Sequence, residues 1–253
     1  MSDDPLVVTE RHDDVLVVSM RRERKRNAVD RALADALSEA LDQLDDDPDV
    51  RVGVLTGTTT VFSAGSDLNA LGDYATERGG EYGIIRRRRS TPLIAAVEGP
   101  ALGGGLEIAL ACDLVVAAAD ATFGLPEVCR GLVPTSAGLF RTLQALPRNL
   151  AKELVLTGRP VDASWLARGG LLNEVVEPGE ALPAAIALAT TIAANGPVAV
   201  QASLAAMEEL IRALDEQGWA ATDAARRRIE ASDDAGEGIA AFFERRPPRW
   251  TGR

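Results

Sequence analysis

Residues 93–118 decide the architecture of this chain, and they read LIAAVEGPALGGGLEIALACDLVVAA. Residues 93–97 form a short apolar run typical of a buried strand, and residues 114–118 form a second one. Between them, three consecutive glycines open a segment that we predict to be a helix over residues 103–111. A strand, a helix and a strand in direct succession predict an α/β fold.

The alternation of strands and helices extends in both directions from this stretch. Toward the N-terminus, a polar turn at residues 12–14 joins two predicted strands, and the leucine spacing predicts a helix over residues 29–44 with Asn27 as its cap. The other predicted elements are strands at 6–8, 15–18, 52–55 and 172–176 and helices at 149–156 and 162–168.

The C-terminal part of the chain has a different pattern. From residue 180 onward the spacing is helical, and Asn195-Gly196-Pro197 interrupts it. We therefore predict a catalytic core over residues 1–195 and a helical region over residues 196–253, whose role is packing or oligomerisation.

Composition excludes several classes of function. The 253 residues carry a net charge of −11, and only 4% of them are aromatic. Such a chain is a poor binder of nucleic acid or of anionic membranes. Two basic runs, residues 21–26 and 86–89, stand out against this background. Each is typical of a solvated surface, although a local basic run also suits an anionic small ligand.

Cysteine use and the N-terminus indicate the compartment. Cys112 and Cys129 belong to no CxxC pair, and we interpret both as packing residues in a reduced environment. Met1–Asp4 is acidic and precedes no apolar signal segment. Acidic residues interrupt the apolar stretch at 93–119, which argues against a membrane span. We expect a cytoplasmic protein.

The residue types present restrict the possible chemistry. The single histidine, His12, lies in a predicted polar turn, so a Ser-His-Asp or Cys-His mechanism has no plausible base. A zinc site is improbable with one histidine, and no phosphate-binding glycine motif is present. The groups that remain for acid–base catalysis are carboxylates, and backbone N–H groups remain to stabilise negative charge. We predict no metal site.

Two segments offer such N–H groups. The small residues within 61–68, VFSAGSDL, let a ligand approach the backbone, and residues 100–107, PALGGGLE, open a helix after a strand. Glu107 lies in the first turn of that helix and Glu127 follows Pro126. Taken singly, Glu107 is explained as a partner of the helix dipole and Glu127 as a solvated loop residue.

Four motifs in order resemble the crotonase (enoyl-CoA hydratase/isomerase) superfamily. They are SAGSD at 63–67, ALGGGLE at 101–107, FGLPE at 123–127 and SDDAGEGIAAFFERR at 232–246. The resemblance covers nearly the whole chain and implies a spiral of ββα units with a C-terminal helical region. It also implies a homotrimer or a hexamer built as a dimer of trimers, for which Trp219, Phe242, Phe243 and Trp250 are candidate packing anchors.

The resemblance implies a mechanism. The N–H groups of Ser66 and Gly104 would hold the thioester oxygen, while Glu107 and Glu127 hold a water against the β-carbon. Both glutamates together favour enoyl-CoA hydratase over isomerase, because isomerases generally lack the first. The alternatives are isomerisation, carnitinyl-CoA-type dehydration, and a degenerate or RNA-binding paralogue without turnover.

The resemblance implies that the chemistry needs no metal and no redox cofactor. It also implies where coenzyme A binds, as part of the substrate. The positions that match are Arg24, Lys25, Arg26 and Ala28 for the pantetheine and phosphates, and Ala64, Asp67 and Leu68 near the adenine. The chain departs from the family pattern at Asn69, where lysine is common, and at Leu125 and Thr135. The departures near the acyl pocket predict a substrate choice different from that of a standard short-chain hydratase, and the Thr135 N–H is a candidate contact for the catalytic water. The run at 86–89 has no counterpart and is interpreted as surface or subunit contact.

Overall fold

A computed structural model describes residues 4–70 and 74–253. Part of the N-terminal segment used above, Met1–Asp3, lies outside these residues. The strands are β1 (Val7–His12), β2 (Val15–Met20), β3 (Val52–Thr56), β4 (Leu93–Val97), β5 (Pro100–Leu102), β6 (Leu114–Ala118), β7 (Thr122–Gly124), β8 (Val161–Asp162) and β9 (Glu174–Val176). The helices are α1 (Arg31–Asp46), α2 (Gly104–Ala109), α3 (Gly138–Ala145), α4 (Arg148–Thr157), α5 (Ala163–Gly169), α6 (Ala181–Ala193), α7 (Pro197–Glu230) and α8 (Asp233–Glu244). Short 3₁₀ helices cover Glu23–Lys25, Glu81–Gly83 and Pro126–Arg130.

The larger sheet has six strands in the order β1-β2-β3-β4-β6-β9, parallel except for the β1–β2 hairpin. Its two faces are both buried. Along β2, Val15 and Val17 pack under α6, whereas Leu16 and Val18 face the main core that includes α1. This alternation follows from the two-residue period of a strand. A sheet covered on both faces by helices is the arrangement expected of an α/β fold.

The smaller sheet positions the functional residues. It has the order β5-β7-β8, and β5 leads directly into α2. Isolated parallel bridges join Val29 to Ser66 and Ser63 to Ala101. The segment that follows β3 is thereby tied to the start of α1 on one side and to β5 on the other.

The α/β class, the alternation of elements and the break near residue 196 are as predicted. One local prediction is wrong: Asp30, not Asn27, caps α1, since its side chain accepts a hydrogen bond from Leu33 N. Asn27 is instead fully buried, where its side chain accepts from Arg22 N and donates to Phe62 O. Helix α3 and the small sheet were not predicted, because their elements are short and carry weak periodicity.

The interpretation of residues 86–89 as surface is wrong for two of its four arginines. The Arg87 side chain is 1% exposed and lies 2.7 Å from Asp42 and 2.8 Å from Asp45. Arg89 is also buried and pairs with Asp113 at 2.7 Å. These residues tie the segment to α1 and to the start of β6 within one chain. Burial without hydrogen-bonded partners would be costly for a guanidinium, which explains the carboxylates around it.

The two cysteines differ. Cys112 is half-buried, with its thiol near Ile108 O, so the packing role fits it. Cys129 is exposed, and the packing interpretation is wrong for this residue in the single chain.

The C-terminal helices follow the predicted break at Asn195-Gly196-Pro197. Within the described residues, no single helix is both long and apolar enough to cross a membrane. Helices α6 and α7 pass that test only as a pair, by length and composition, and they are bent by 106°. The long helix α7 packs on α3, where Gly218 lies against the Phe140 ring.

Candidate active site

A cavity of about 520 Å³ is lined by every catalytic and coenzyme A-binding residue that the sequence nominates. Its walls come from the segment after β3, the N-terminus of α2, the 3₁₀ helix Pro126–Arg130 and the loop before α1. The nominated residues that line it are Arg24, Lys25, Arg26, Ala28, Ala64, Ser66, Asp67, Leu68, Gly104, Glu107 and Glu127.

The first backbone donor is Ser66 N–H. The flanking residues carry the hydrogen bonds of the bridge to Val29: Val29 N donates to Gly65 O, and Asp67 N donates to Val29 O. In such a parallel bridge the N–H of the residue between them points to the other side. No described residue accepts from Ser66 N–H, so this donor is available on the cavity side.

The second donor is Gly104 N–H at the start of α2. The first N–H groups of a helix have no partner within it. Gly65 brings the two donors together, since a Cβ on Gly65 would lie 2.8 Å from Gly104 N. Its φ of +87° also favours glycine. The two N–H groups therefore lie close together in space, although they are far apart in sequence. This arrangement suits one shared oxygen acceptor.

Glu107 is held rigidly. Its side chain is almost fully buried in α2, and its Oε1 accepts from Ser136 N at 2.7 Å and from Gly138 N at 2.9 Å. Burial raises the pKa of this carboxyl well above the usual glutamate range, and the charge of Glu127 raises it further. The hydrogen bonds from Gly138 and Ser136 act in the opposite direction. A Cβ on Gly138 would lie 2.9 Å from Glu107 Oε1, which explains the glycine there.

Glu127 faces the same space from the 3₁₀ helix Pro126–Arg130. Its Oε1 would lie 3.0 Å from a Cβ on Gly103, so the glycine lets the carboxyl sit beside the start of α2. Burial raises the pKa of Glu127 toward neutrality. Its buried Oε2 has no hydrogen-bond partner among the described residues. The alternative of a solvated loop glutamate does not fit this environment.

Tyr82 is a site residue that sequence reasoning missed. Its side chain lines the cavity, is only 5% exposed and has its hydroxyl 2.8 Å from Ser66 Oγ. Burial raises the pKa of Tyr82 above its usual value, and the nearby charge of Glu107 adds to this. The phenol therefore keeps its proton. In the sequence, Tyr82 is a single tyrosine near Gly79 and Gly80, and no motif there identifies it as a site residue.

The outer rim of the cavity is basic. Arg24, Lys25 and Arg26 are exposed, and their side chains make no ion pair or hydrogen bond to the described residues. Arg22, by contrast, pairs with Asp30 at 2.5 Å and with Asp67 at 2.8 Å. The cation group Arg24–Arg26 is thus free to meet phosphate oxygens, whereas the Asp67 carboxylate is committed to the protein.

The C-terminal region also contributes to the wall. Phe242 and Phe243 of α8 line the cavity, and the Arg130 guanidinium lies 4.6 Å from the centre of the Phe242 ring. Gly238 allows the backbone of α8 to approach Arg130 O closely, because a Cβ there would lie 2.1 Å from it. The sequence predicts a role in packing or oligomerisation for this region. In the structure it also covers the 3₁₀ helix that carries Glu127.

These groups define a class of site. Two unbonded N–H groups can bind a carbonyl oxygen on which negative charge develops, and two carboxyls with raised pKa values can exchange protons near neutral pH. A basic rim at the mouth suits a phosphorylated carrier. Such a site suits an acyl-thioester enzyme.

Comparison with known proteins agrees with this class. The sequence model of the enoyl-CoA hydratase/isomerase family matches residues 10–253, and the chain belongs to this family. It is 38% identical to enoyl-CoA hydratase EchA19 of Mycobacterium tuberculosis, over 98% of this chain and 97% of that protein. It is 37% identical to the mevalonyl-coenzyme A hydratase sidH of Aspergillus fumigatus, over 93% and 91%.

Solved structures give the same result for the fold. A carnitinyl-CoA dehydratase from Mycobacterium avium superposes with a TM-score of 0.94 at 44% identity, covering 99% of this chain and 100% of that one. The crotonase-type fold implied by the sequence motifs is therefore confirmed.

Proposed function

We propose that this protein is an enoyl-CoA hydratase, a hydro-lyase that adds water across the 2,3 double bond of a 2-enoyl-CoA thioester to give a 3-hydroxyacyl-CoA. The observation that carries the proposal is the pair of carboxyls in one cavity, the buried Glu107 and the half-buried Glu127, beside the unbonded N–H groups of Ser66 and Gly104. The family relatives named above support the same reaction.

In the proposed mechanism the thioester oxygen accepts hydrogen bonds from Ser66 N–H and Gly104 N–H. Negative charge builds on that oxygen as water attacks the β-carbon, and each donor lowers the barrier by roughly 2.7–4 kcal/mol. One carboxylate takes a proton from the water, and the partner carboxyl delivers a proton to the α-carbon. Burial supports this division of roles, because it disfavours ionisation of both carboxyls at once.

The coenzyme A portion is proposed to cross the basic rim. Arg24, Lys25 and Arg26 would pair with its phosphates, while Ala28, Ala64 and Leu68 supply close, small contacts and Asp67 holds the loop through Arg22. Asn69 also lines the cavity. Its neutral amide stands where a lysine is common, so this position lacks a cation to pair with a phosphate. The reaction needs no cofactor beyond the coenzyme A of the substrate.

Dehydration of a polar 3-hydroxyacyl-CoA is the second candidate, because it is the reverse of the same chemistry. The likeness to a carnitinyl-CoA dehydratase structure favours it, as does Thr135 in the cavity wall. Isomerisation is disfavoured by the presence of Glu107.

We further propose that the protein is cytoplasmic and forms a homotrimer or hexamer, the assembly that the family resemblance implies. The exposed apolar side chains of α7 support contact between subunits.

Steady-state kinetics test the proposal. Purified protein should consume crotonyl-CoA or a polar 2-enoyl-CoA, with loss of the enoyl absorbance. Glu107→Gln and Glu127→Gln should each lower kcat by orders of magnitude and leave thioester binding in place, since each removes a proton-transfer group that typically contributes 10²–10⁴-fold. Near-normal turnover in either variant would contradict the assignment of that glutamate.

A further inference from the structure

Tyr82 is placed in the cavity by an unusual backbone conformation. Its φ of +55° is rare for a residue with a side chain. The segment around it is fixed: Thr76 and Gly80 exchange backbone hydrogen bonds, and Gly83 packs so closely on α1 that a Cβ would lie 2.3 Å from Ala34 O. A disfavoured conformation held by its surroundings is typical of a functional position.

The phenol contacts both residues that carry the backbone donors. Its oxygen lies 2.8 Å from Ser66 Oγ. A Cβ on Gly104 would lie 2.7 Å from both the hydroxyl oxygen and the adjoining ring carbon, so the phenol end rests directly against that glycine. An oxygen bound between Ser66 N–H and Gly104 N–H is therefore within reach of the Tyr82 hydroxyl.

Proton accounting leaves a donor for a ligand. Among the described residues, the Tyr82 hydroxyl has one hydrogen-bonding neighbour, the Ser66 hydroxyl, and either oxygen of this contact can be the donor. Two hydroxyls carry two protons, and the contact between them uses one. Both side chains line the cavity. When Ser66 donates to the phenol oxygen, the Tyr82 proton is left for a ligand.

We propose that the Tyr82 hydroxyl is a third hydrogen-bond donor to the thioester oxygen, beside the N–H groups of Ser66 and Gly104. The inference rests on the proposed function, because it assumes an acyl thioester in this cavity. A neutral donor aimed at the developing negative charge stabilises the transition state more than the ground state. Tyr82 is then a catalytic residue specific to the oxyanion site.

The first test compares two tyrosine variants. Tyr82→Phe removes only the hydroxyl, and we expect kcat to fall about 10²-fold, the lower end of the range for one oxyanion donor, with KM nearly unchanged. Tyr74→Phe is the matched control, because Tyr74 is the other tyrosine of the chain and its hydroxyl donates to backbone carbonyls, including Asp67 O. An unchanged kcat in Tyr82→Phe, or a rise in KM without a fall in kcat, overturns the proposal.

The second test measures polarisation of the bound carbonyl without turnover. A 2,4-dienoyl-CoA absorbs at longer wavelength when its carbonyl accepts strong hydrogen bonds, and we expect this red shift to be smaller in Tyr82→Phe than in the parent protein. An equal red shift in the two proteins overturns the inference. Because this readout needs only binding, it distinguishes failure of the Tyr82 proposal from absence of hydratase activity.

The Ser66→Ala background separates a direct role from an indirect one. That substitution keeps the backbone N–H and removes the side-chain oxygen that contacts the phenol. If Tyr82 donates to the substrate, Tyr82→Phe lowers kcat by a similar factor in this background. If the effect of Tyr82→Phe vanishes there, the phenol acts only by holding Ser66, and the direct-donor proposal is wrong.

Discussion

The carboxyl of Glu107 links stability to function at the scale of one residue. Burial and the neighbouring Glu127 raise its pKa in the folded state, whereas an unfolded chain has the ordinary value of about 4.3. The folded state therefore holds this proton more tightly than the unfolded state. The resulting contribution to stability is fully present below the unfolded pKa and is lost as the pH rises through the folded pKa.

Glu107→Gln should accordingly stabilise the protein at neutral and alkaline pH while removing activity. The amide oxygen can still accept from Ser136 N and Gly138 N, and it never ionises. We expect the Tm difference from the parent to grow from near zero at about pH 4.5 to several degrees at pH 8, since each kcal/mol shifts Tm by about 2–4 °C at this size. Calorimetry across that range checks it, with the exposed Glu39→Gln as control. A Tm difference that stays constant with pH would contradict the linkage.

Lys25 tests the basic rim. Lys25→Ala should raise KM for an enoyl-CoA about 2- to 5-fold, the effect of losing one exposed ion pair worth up to about 1 kcal/mol, with kcat unchanged. The same variant should show the parent KM on a pantetheine thioester, which lacks the nucleotide phosphates. Lys152→Ala is the matched control, because Lys152 is the only other lysine and is exposed on α4. Equal effects on both thioesters would remove Lys25 from the phosphate site.

The sequence motifs locate the residues whose position depends on local chain geometry. Ser66, Gly104 and Glu107 lie in short glycine-rich segments, so their neighbours along the chain place them. Tyr82 could not be predicted in this way, because its contact with Ser66 spans 16 residues and depends on how the segment packs against α1. The buried pairing of Arg87 with α1 is similarly long-range, with sequence separations of 45 and 42 residues.

At the scale of elements, α2 must lie very close to the segment after β3. A Cβ on Gly105 would lie 2.2 Å from Ser63 O, so any side chain forces backbone to move. Gly105→Ala should separate Ser66 N–H from Gly104 N–H, lowering kcat more than tenfold along with Tm. Gly236→Ala in α8 is the control, because no heavy atom beyond its own stretch of helix lies within 4 Å of its added Cβ in the described structure.

The change in Tm is expected to be opposite in sign for the two glycine variants. Alanine is favoured over glycine inside a helix by about 0.5–1 kcal/mol, so Gly236→Ala should raise Tm slightly and keep kcat. Thermal melts and kinetics on the two proteins make the comparison. A Gly105→Ala protein with full activity would show that α2 can shift without opening the donor pair.

The elements themselves were predictable to different degrees. Strands β4 and β6 have the predicted bounds, because each is a continuous apolar run covered on both faces. Helix α1 was predicted two residues early, since the capping potential of Asp30 was assigned to Asn27. Strands β5, β7 and β8 are two or three residues long and are defined by partners far along the chain. Local sequence carries little information about such pairings.

At the scale of the whole molecule, helix α7 exposes apolar side chains that the fold of a single chain does not cover. Met207, Leu210 and Leu214 are 61%, 79% and 55% exposed, and their spacing places them along one side of the helix. A contiguous apolar strip on a long helix marks an interaction surface. Subunit contact through α7 accounts for it, in agreement with the proposed trimer or hexamer.

Leu210→Glu should weaken that contact. A carboxylate buried against apolar partners in an interface loses hydration without gaining a hydrogen bond, which costs several kcal/mol per subunit. We expect light scattering to give a smaller mass for this variant than for the parent, and dilution to lower the mass further. Ala205→Glu adds the same charge at an exposed position of α7, about 140° around the helix from Leu210, and should keep the parent mass. If Leu210→Glu assembles like the parent, α7 does not form the interface.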